Sequence, residues 1–431
     1  MTGDPVARPA PSGATGSGMS RRRMLGLSGL GVAGVLASGT VGGAVGRATA
    51  DAAPTAAAPV PGADPTAAVE FTGVHQAGIV TPAQDRLHFV AFDVVTDSRD
   101  DLAGLLRAWT AAARRLTAGQ ATGPDDTGEA DGLPASGLTL TIGFGPTLFA
   151  TADGRDRFGL AARRPEPLAE LPEFPGDRLD PAISGGDLCV QACANDPQVL
   201  VHAVRNLVRL GAGVVRVRWV QQGFGRTSST SSAQATPRNL LGFKDGTANL
   251  TAENGQALDR FVWVGGDDAD WLGGGSYLVA RRIRMRLEDW DGVPRAEQEA
   301  VIGRTKDAGA PLGQRAEFDP TDFTATRDGR PAIPRDSHVF LSHPSNAGTA
   351  MLRRGYSFVD GADGEGRLVA GLFFIAFQRN PETGFTQVQR NLAGDALNRF
   401  TEHTSSSVFA CPPGVQGEGD WWGRALFEPA P

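Results

Sequence analysis

Apolar and polar residues alternate along several short stretches of this chain, and longer stretches between them carry apolar residues three and four apart. Residues 88–94, His88-Phe89-Val90-Ala91-Phe92-Asp93-Val94, alternate and are rich in branched and aromatic side chains, which predicts a strand. Residues 102–116 place Ala and Leu at helical spacing, 138–145 and 188–193 predict two further strands, and 197–209 predict a second helix. The Gly-, Asp- and Pro-rich segment 118–136 reads as a loop or a partly disordered insert. The second half has the same flavour: strands over 261–264 and 275–283, a helix over 297–305, a strong strand over 368–378, and a helix over 385–400. From residue 70 onward the chain has roughly 360 residues, too many for one typical small core, so two domains or one large two-part domain are expected. Beta-alpha-beta pieces in both halves give an α+β class, and tandem ferredoxin-like domains with antiparallel sheets fit that pattern among other α+β arrangements. The division expected is 70–225 and 226–431.

The first seventy residues do not follow this pattern. Ser20-Arg21-Arg22-Arg23-Met24-Leu25 opens a weakly apolar, Gly-rich stretch to about residue 46, and Ala48-Thr49-Ala50 offers small residues for a signal peptidase. This reads as a twin-arginine export signal over 1–50, with Arg21 and Arg22 as the pair, followed by a flexible Ala- and Pro-rich leader over 51–69. An uncleaved membrane anchor is the alternative, disfavoured by the many glycines and serines. The expected partner is the twin-arginine machinery and the expected destination extracellular or in the cell envelope, periplasmic where there are two membranes. That route carries folded proteins, so a cofactor could be loaded before export.

Formal net charge is -7, and loss of residues 1–50 removes five arginines and one aspartate, leaving -11. An acidic chain has no general reason to bind nucleic acid. Cys189, Cys193 and Cys411 are too few and odd in number for a disulfide framework. Cys189 and Cys193 lie four apart with no His cluster near them, so a zinc site is disfavoured and Cys193 reads as core.

Three segments carry the candidate chemistry. Gly242-Phe243-Lys244-Asp245-Gly246 is followed by Asp336-Ser337-His338 and then by Met351-Leu352-Arg353-Arg354-Gly355-Tyr356. Singly, these residues read as a turn aspartate, a loop histidine and surface arginines. Together they supply what a haem peroxidase needs: an axial ligand, a proton acceptor and a fixed positive charge where peroxide binds. In this order they resemble the dye-decolorizing peroxidase family, with its Gly-x-x-Asp-Gly signature, downstream proximal His and distal Arg. The resemblance extends through Gly73-Val74-His75-Gln76-Ala77-Gly78-Ile79, Ser184-Gly185-Gly186-Asp187-Leu188, Cys193-Ala194-Asn195-Asp196, Trp219, Gln221, Gly371-Leu372-Phe373-Phe374 and Gly384-Phe385.

The resemblance implies tandem ferredoxin-like domains of the dimeric α+β barrel type and a peroxidase that uses hydrogen peroxide to oxidise aromatic or dye-like donors. It implies haem b, and with no Cys-x-x-Cys-His sequence the haem should be noncovalent. His338 is the implied iron ligand among six histidines; His343 is its rival, while His88 and His202 suit structural roles. Phe340 departs from the family, where many relatives carry Arg. Asp245 is the implied distal acid/base and Arg353 the stabilising charge, with Arg354 left to a propionate or an internal acid. Leu372 and Phe374 are the implied apolar wall, and Asn249 is either a polar haem contact or a turn residue. Asp395, on the helix expected over 385–400, is either the carboxylate partner of the axial imidazole or an ordinary helix-surface residue. Tyr277, Tyr356 and several tryptophans are candidates for passing electrons outward. Two other uses of the same residues stay open: deferrochelatase-like iron release from haem, with partners in iron uptake, and noncatalytic haem binding. A chlorite dismutase-like activity is disfavoured by the signature, and a homo-oligomer stays open.

Overall fold

Each half of the chain forms four long antiparallel strands, and the two sets close on one another. In the computed structural model, which describes residues 64–266, 268 and 270–428, the first half contributes β1 (Arg86–Val94), β2 (Thr139–Phe144), β3 (Leu188–Ala194) and β4 (Val215–Arg226). The second contributes β5 (Ser276–Met285), β6 (Tyr356–Ala362), β7 (Leu368–Gln378) and β8 (Thr401–Cys411). Their orders, β2-β3-β1-β4 and β8-β5-β7-β6, are the same ferredoxin-like arrangement used twice. Pairing of β4 with β6 and of β8 with β2 joins the halves into a closed eight-stranded barrel. The α+β class and tandem ferredoxin-like domains are therefore as expected. The predicted export signal lies outside the described residues, as does most of the predicted leader.

The alternation in β1 shows why the barrel has two cores. Leu87, Phe89 and Ala91 face the barrel interior, where they join Trp219, Phe373 and Phe409. Val90, Phe92 and Val94 face the other way, into a core shared with α1 (Arg99–Thr117) and α2 (Pro197–Leu210). Side chains of successive strand residues point to opposite faces, so a strand apolar on both faces must be covered on both. The helices that do this carry their own stop and start signals. Ser98 accepts from the Asp101 N–H at the start of α1, Asp196 accepts from the Gln198 N–H with Pro197 at the first position of α2, and Arg114 and Arg115 end α1. Trp109 locks the pair by donating its indole N–H to the Leu207 carbonyl at 2.8 Å.

Two predicted elements differ. Residues 261–264 form no strand: α3 (Gly255–Phe261), capped by Asn254, ends there, and Val262, Trp263 and Val264 turn into the core. A short apolar run carries no period that separates strand from turn. The helix expected over 385–400 is broken into a wide turn over Glu382–Thr386, a short helix Gln387–Asn391, and tight turns at Leu392–Gly394 and Ala396–Phe400. Asp395 interrupts it with extended backbone (φ -68°, ψ 128°) because its side chain accepts from the Leu397 N–H at 2.8 Å, an alternative to helix that Asp offers. Segment 118–136 forms no helix or strand, and Glu129 ties it to His202 at 3.1 Å, giving that histidine a structural role.

Candidate active site

The loop containing Asp245 is shaped by its glycines. Gly242 and Gly246 both have positive φ, 85° and 93°, and a Cβ on Gly246 would sit 2.9 Å from the Ser228 Cα. Glycine is thus required where this loop presses against the Ser228 backbone. The Asp245 N–H donates to the Pro237 carbonyl at 2.9 Å, and Lys244 pairs with Glu317, which also accepts from the Thr247 hydroxyl at 3.1 Å. The Asp245 carboxylate is consequently aimed: Oδ1 accepts from Arg353 Nη1 at 2.9 Å, and Oδ2 accepts from Asn239 Nδ2 at 3.1 Å.

Arg353 comes from the two-residue strand Leu352–Arg353, which pairs with Phe377 and Ala376 of β7. Asn249 holds its main chain on both sides. The Arg353 N–H donates to Asn249 Oδ1 at 2.8 Å, and Asn249 Nδ2 donates to the carbonyls of Arg353 and Ser229, each at 2.9 Å. Asn249 does not line the cavity that Asp245 and Arg353 line; it acts on that cavity through the position of Arg353. Arg354 points elsewhere. It is fully buried against neutral oxygens, those of the Thr81 carbonyl, Thr230 and Gln84, and among the described residues it pairs with no Asp or Glu.

His338 opens α4 (His338–Ser342), capped by Ser337. Its Nδ1 lies 2.6 Å from Asp395 Oδ2, so Nδ1 carries the proton toward the carboxylate and Nε2 is left as an acceptor facing the cavity. Asp395 is buried, and its second oxygen is the one that caps the following turn. One carboxylate thus fixes both the imidazole and the chain that presents it. Burial opposes charge on His338, but the Asp395 carboxylate, by charge and hydrogen bond, outweighs it with help from Asp245, and the imidazole pKa is held above its ordinary value.

These groups share one cavity. Asp245, His338, Arg353, Leu372, Phe374 and Asp395 all line it, Leu372 and Phe374 from alternate positions on β7. His343 lines it too, but its Nδ1 is engaged with the Ser345 hydroxyl at 2.8 Å, and burial, then Arg304, lowers its pKa. Phe340 does not line the cavity; it packs edge-on against Phe323 at 5.2 Å with Arg335 over its ring, so the departure from Arg changes packing outside the cavity. Sequence reasoning missed Asn239, Arg304, Glu317 and the lining role of His403. Asn239 lies six residues before Asp245, a spacing with no recognised signature, and the others are brought in by tertiary packing.

The donor set fits an iron porphyrin. It offers one imidazole with a free Nε2, a carboxylate behind it, apolar walls from Leu372, Phe374 and Phe385, and a carboxylate–guanidinium pair in the same space. No group of three or more His, Cys, Asp or Glu among the described residues is placed to hold a bare metal ion.

Comparison with known proteins agrees with this chemistry. The N-terminal domain profile of Dyp-type peroxidases matches residues 76–225 and the C-terminal profile matches residues 236–416. Ferric DtpA from Streptomyces lividans is 42% identical, with a TM-score of 0.78 over 84% of this chain and 97% of that one. A DyP-type peroxidase from Cellulomonas bogoriensis is 40% identical, with a TM-score of 0.77 over 85% of this chain and 100% of that one. A curated relative, the deferrochelatase of Escherichia coli (strain K12), is 39% identical over 372 residues, 83% of this chain and 86% of the relative. Barrel, site and profiles agree, and the chain belongs to the Dyp-type peroxidase family.

Proposed function

We propose that this chain is a haem b peroxidase that uses hydrogen peroxide to oxidise small aromatic or dye-like donors. The observation that carries this reading is the Asp245–Arg353 pair, 2.9 Å apart, in the same cavity as an imidazole backed by a carboxylate. Simple binding needs no such pair. Bound noncovalently, haem b would supply the iron that takes two oxidising equivalents from peroxide as the O–O bond breaks. His338 would hold that iron through Nε2, and Asp395, 2.6 Å from Nδ1, would keep the ring in the tautomer that leaves Nε2 free to do so. Asp245 accepts a proton from entering peroxide and returns it to the departing oxygen. Arg353 keeps its charge throughout and stabilises the negative charge that develops on peroxide. Leu372 and Phe374 limit water in the reacting space.

Export by the twin-arginine route to the cell envelope or beyond belongs to the same proposal, on the strength of Ser20-Arg21-Arg22-Arg23-Met24-Leu25 and Ala48-Thr49-Ala50. A second reading is iron release from haem with the porphyrin left intact. The curated relatives named deferrochelatase, each 39% identical over about 83% of this chain, weigh toward it as the physiological reaction. One experiment separates the two. The haem-loaded protein is mixed with about one equivalent of hydrogen peroxide and followed by stopped-flow absorbance, with and without an aromatic donor, and the tetrapyrrole is then extracted. A rapid absorbance change that the donor reverses over many turnovers supports the peroxidase; metal-free porphyrin without donor turnover supports iron release.

A further inference from the structure

The carboxylate of Asp245 meets two side-chain donors, and they differ in kind. Arg353 Nη1 donates to Oδ1 at 2.9 Å and carries a full charge, while Asn239 Nδ2 donates to Oδ2 at 3.1 Å and is neutral. Asn239 belongs to the tight turn that leads into the Asp245 loop. Its N–H donates to the Phe243 carbonyl at 3.0 Å, and its own carbonyl accepts from the Gly242 N–H at 2.9 Å. Its side-chain Oδ1 accepts from the Leu241 N–H at 3.1 Å. Asn favours such a turn because its amide oxygen can take the N–H of the residue two places later.

That last bond fixes which way the amide faces. Turning it over would set Nδ2 against the Leu241 N–H, donor against donor, and Oδ1 against the Asp245 carboxylate, acceptor against acceptor. The Asn239 amide is therefore a donor to Asp245 and cannot become an acceptor for it. Arg353 has no acceptor at all. Neither partner can receive a hydrogen bond from a protonated Asp245, so both favour the anion. Of the two oxygens, Oδ2 carries the neutral partner and the longer bond, which leaves it the more basic. The other charged and titratable groups around the carboxylate are His338 with Asp395 behind it, Arg304, His343 and His403 in the cavity wall, and Lys244 paired with Glu317. Among the described residues none of these hydrogen-bonds to the Asp245 carboxylate.

We propose that Asn239 is a positioning residue for the proton transfer: it holds Asp245 Oδ2 in place as the proton acceptor for peroxide and, by favouring the anion, speeds the proton's return. The proposal rests on the peroxidase reading. In the step, one O–H bond of hydrogen peroxide breaks and its proton bonds to Oδ2, on the lone pair that Asn239 does not use. The same proton then leaves Oδ2 for the far oxygen as the O–O bond breaks. That oxygen departs as water, with two electrons supplied by the haem centre, and Asp245 ends as the anion it was at the start. Asn239 gives up no proton at either stage.

The test uses the haem-loaded protein and two substitutions that separate the donor from the turn. Asn239→Asp keeps an oxygen for the Leu241 N–H but sets a second carboxylate against Asp245, and two carboxylates at one site share a proton. Asn239→Ala removes both bonds. In stopped-flow mixing with about one equivalent of hydrogen peroxide, the acid limb of the rate should move up by about half to one pH unit in Asn239→Ala and about one to two in Asn239→Asp. Below that limb the rates should fall about three- to tenfold and about ten- to a hundredfold. Hydrogen cyanide, a weak acid that also gives up its proton on binding ferric haem, provides a readout without turnover, and its association rate should follow the same order. A residue that only held the turn would give the opposite order, because Asp accepts from the Leu241 N–H and Ala cannot. That opposite order, or acid limbs unmoved in both variants for peroxide and cyanide alike, would overturn the proposal. If Asn239→Asp does not load haem, the limb in Asn239→Ala decides alone. A wild type that shows no absorbance change with peroxide sinks the peroxidase reading instead, and cyanide binding then decides whether Asn239 governs Asp245.

Discussion

Replacing Asp395 by asparagine separates the two tasks of that carboxylate. Asn caps a turn about as well as Asp, so the bond from the Leu397 N–H, 2.8 Å in the wild type, should persist. What changes is the 2.6 Å contact to His338 Nδ1, where an anion becomes a neutral amide. A hydrogen bond to a charged group contributes about 1.5–3 kcal/mol. Loss of such a partner behind a metal-bound His typically costs about 10–100-fold in metal affinity, or about 1.4–2.7 kcal/mol at 1.36 kcal/mol per decade. The carboxylate makes the imidazole a stronger electron donor and so favours ferric over ferrous iron. If the whole effect falls on the ferric state, the reduction potential rises by about 60–120 mV, at 59 mV per decade for one electron. Spectroelectrochemistry of the ferric/ferrous couple reads this directly, and transfer of haem to an excess of apomyoglobin reads retention. Asp395→Ala is the control: it loses the cap as well and should lower Tm further by the equivalent of about 1 kcal/mol. A potential and a haem-release rate both unchanged in Asp395→Asn would refute the assignment of His338 as a ligand tuned by Asp395.

Other consequences can be checked with the same protein. Asp245→Asn should slow the peroxide step by about 10²–10⁴-fold with haem loading nearly unchanged, since proton transfer and not binding is lost; stopped-flow rates against haem content test this. Arg353→Leu should slow that step by about 10²–10³-fold, and equal loss of haem retention would sink its role in charge stabilisation. Asn249→Ala frees the Arg353 main chain and should slow the peroxide step by about tenfold while lowering stability by about 1–3 kcal/mol, read from urea unfolding. Burial, then the charge of Arg281, pushes His403 down to about 3. The unfolded chain therefore takes up a proton that the folded chain refuses, so stability present above about pH 6.5 falls as pH drops toward 3, by an amount on the order of a few kcal/mol. In the haem-free protein, His403→Gln should flatten that part of the pH dependence of the urea midpoint, and an unchanged slope would exclude His403 as its source.

Much of this protein is legible in its residues because local rules govern them. The branched and aromatic pattern of β1, the apolar runs of β3 and β7, and the capped, amphipathic α1 and α2 mark elements whose faces must be buried whatever lies opposite. The Gly242–Gly246 signature, His338 and Arg353 can be named in sequence only together, because their order and the colinear segments around them resemble a known family; taken singly each reads as a turn, loop or surface residue. Where an element's identity depends on its neighbours, the pattern fails: residues 261–264 look like a strand and residues 385–400 like one helix. Periodicity reports that a face is buried, not against what. Closure of the barrel through β4 with β6 and β8 with β2 joins segments more than a hundred residues apart, and no local signal encodes those pairings. The same holds at the site. Only the folded chain decides that Asp395 reaches His338 across 57 positions, that Arg353 and not Arg354 meets Asp245, and that Asn249 clamps a main chain 104 residues away. Those contacts are set by how the two sheets and their loops pack, because an ångström-scale hydrogen bond depends on the position of every element that carries its donor and acceptor.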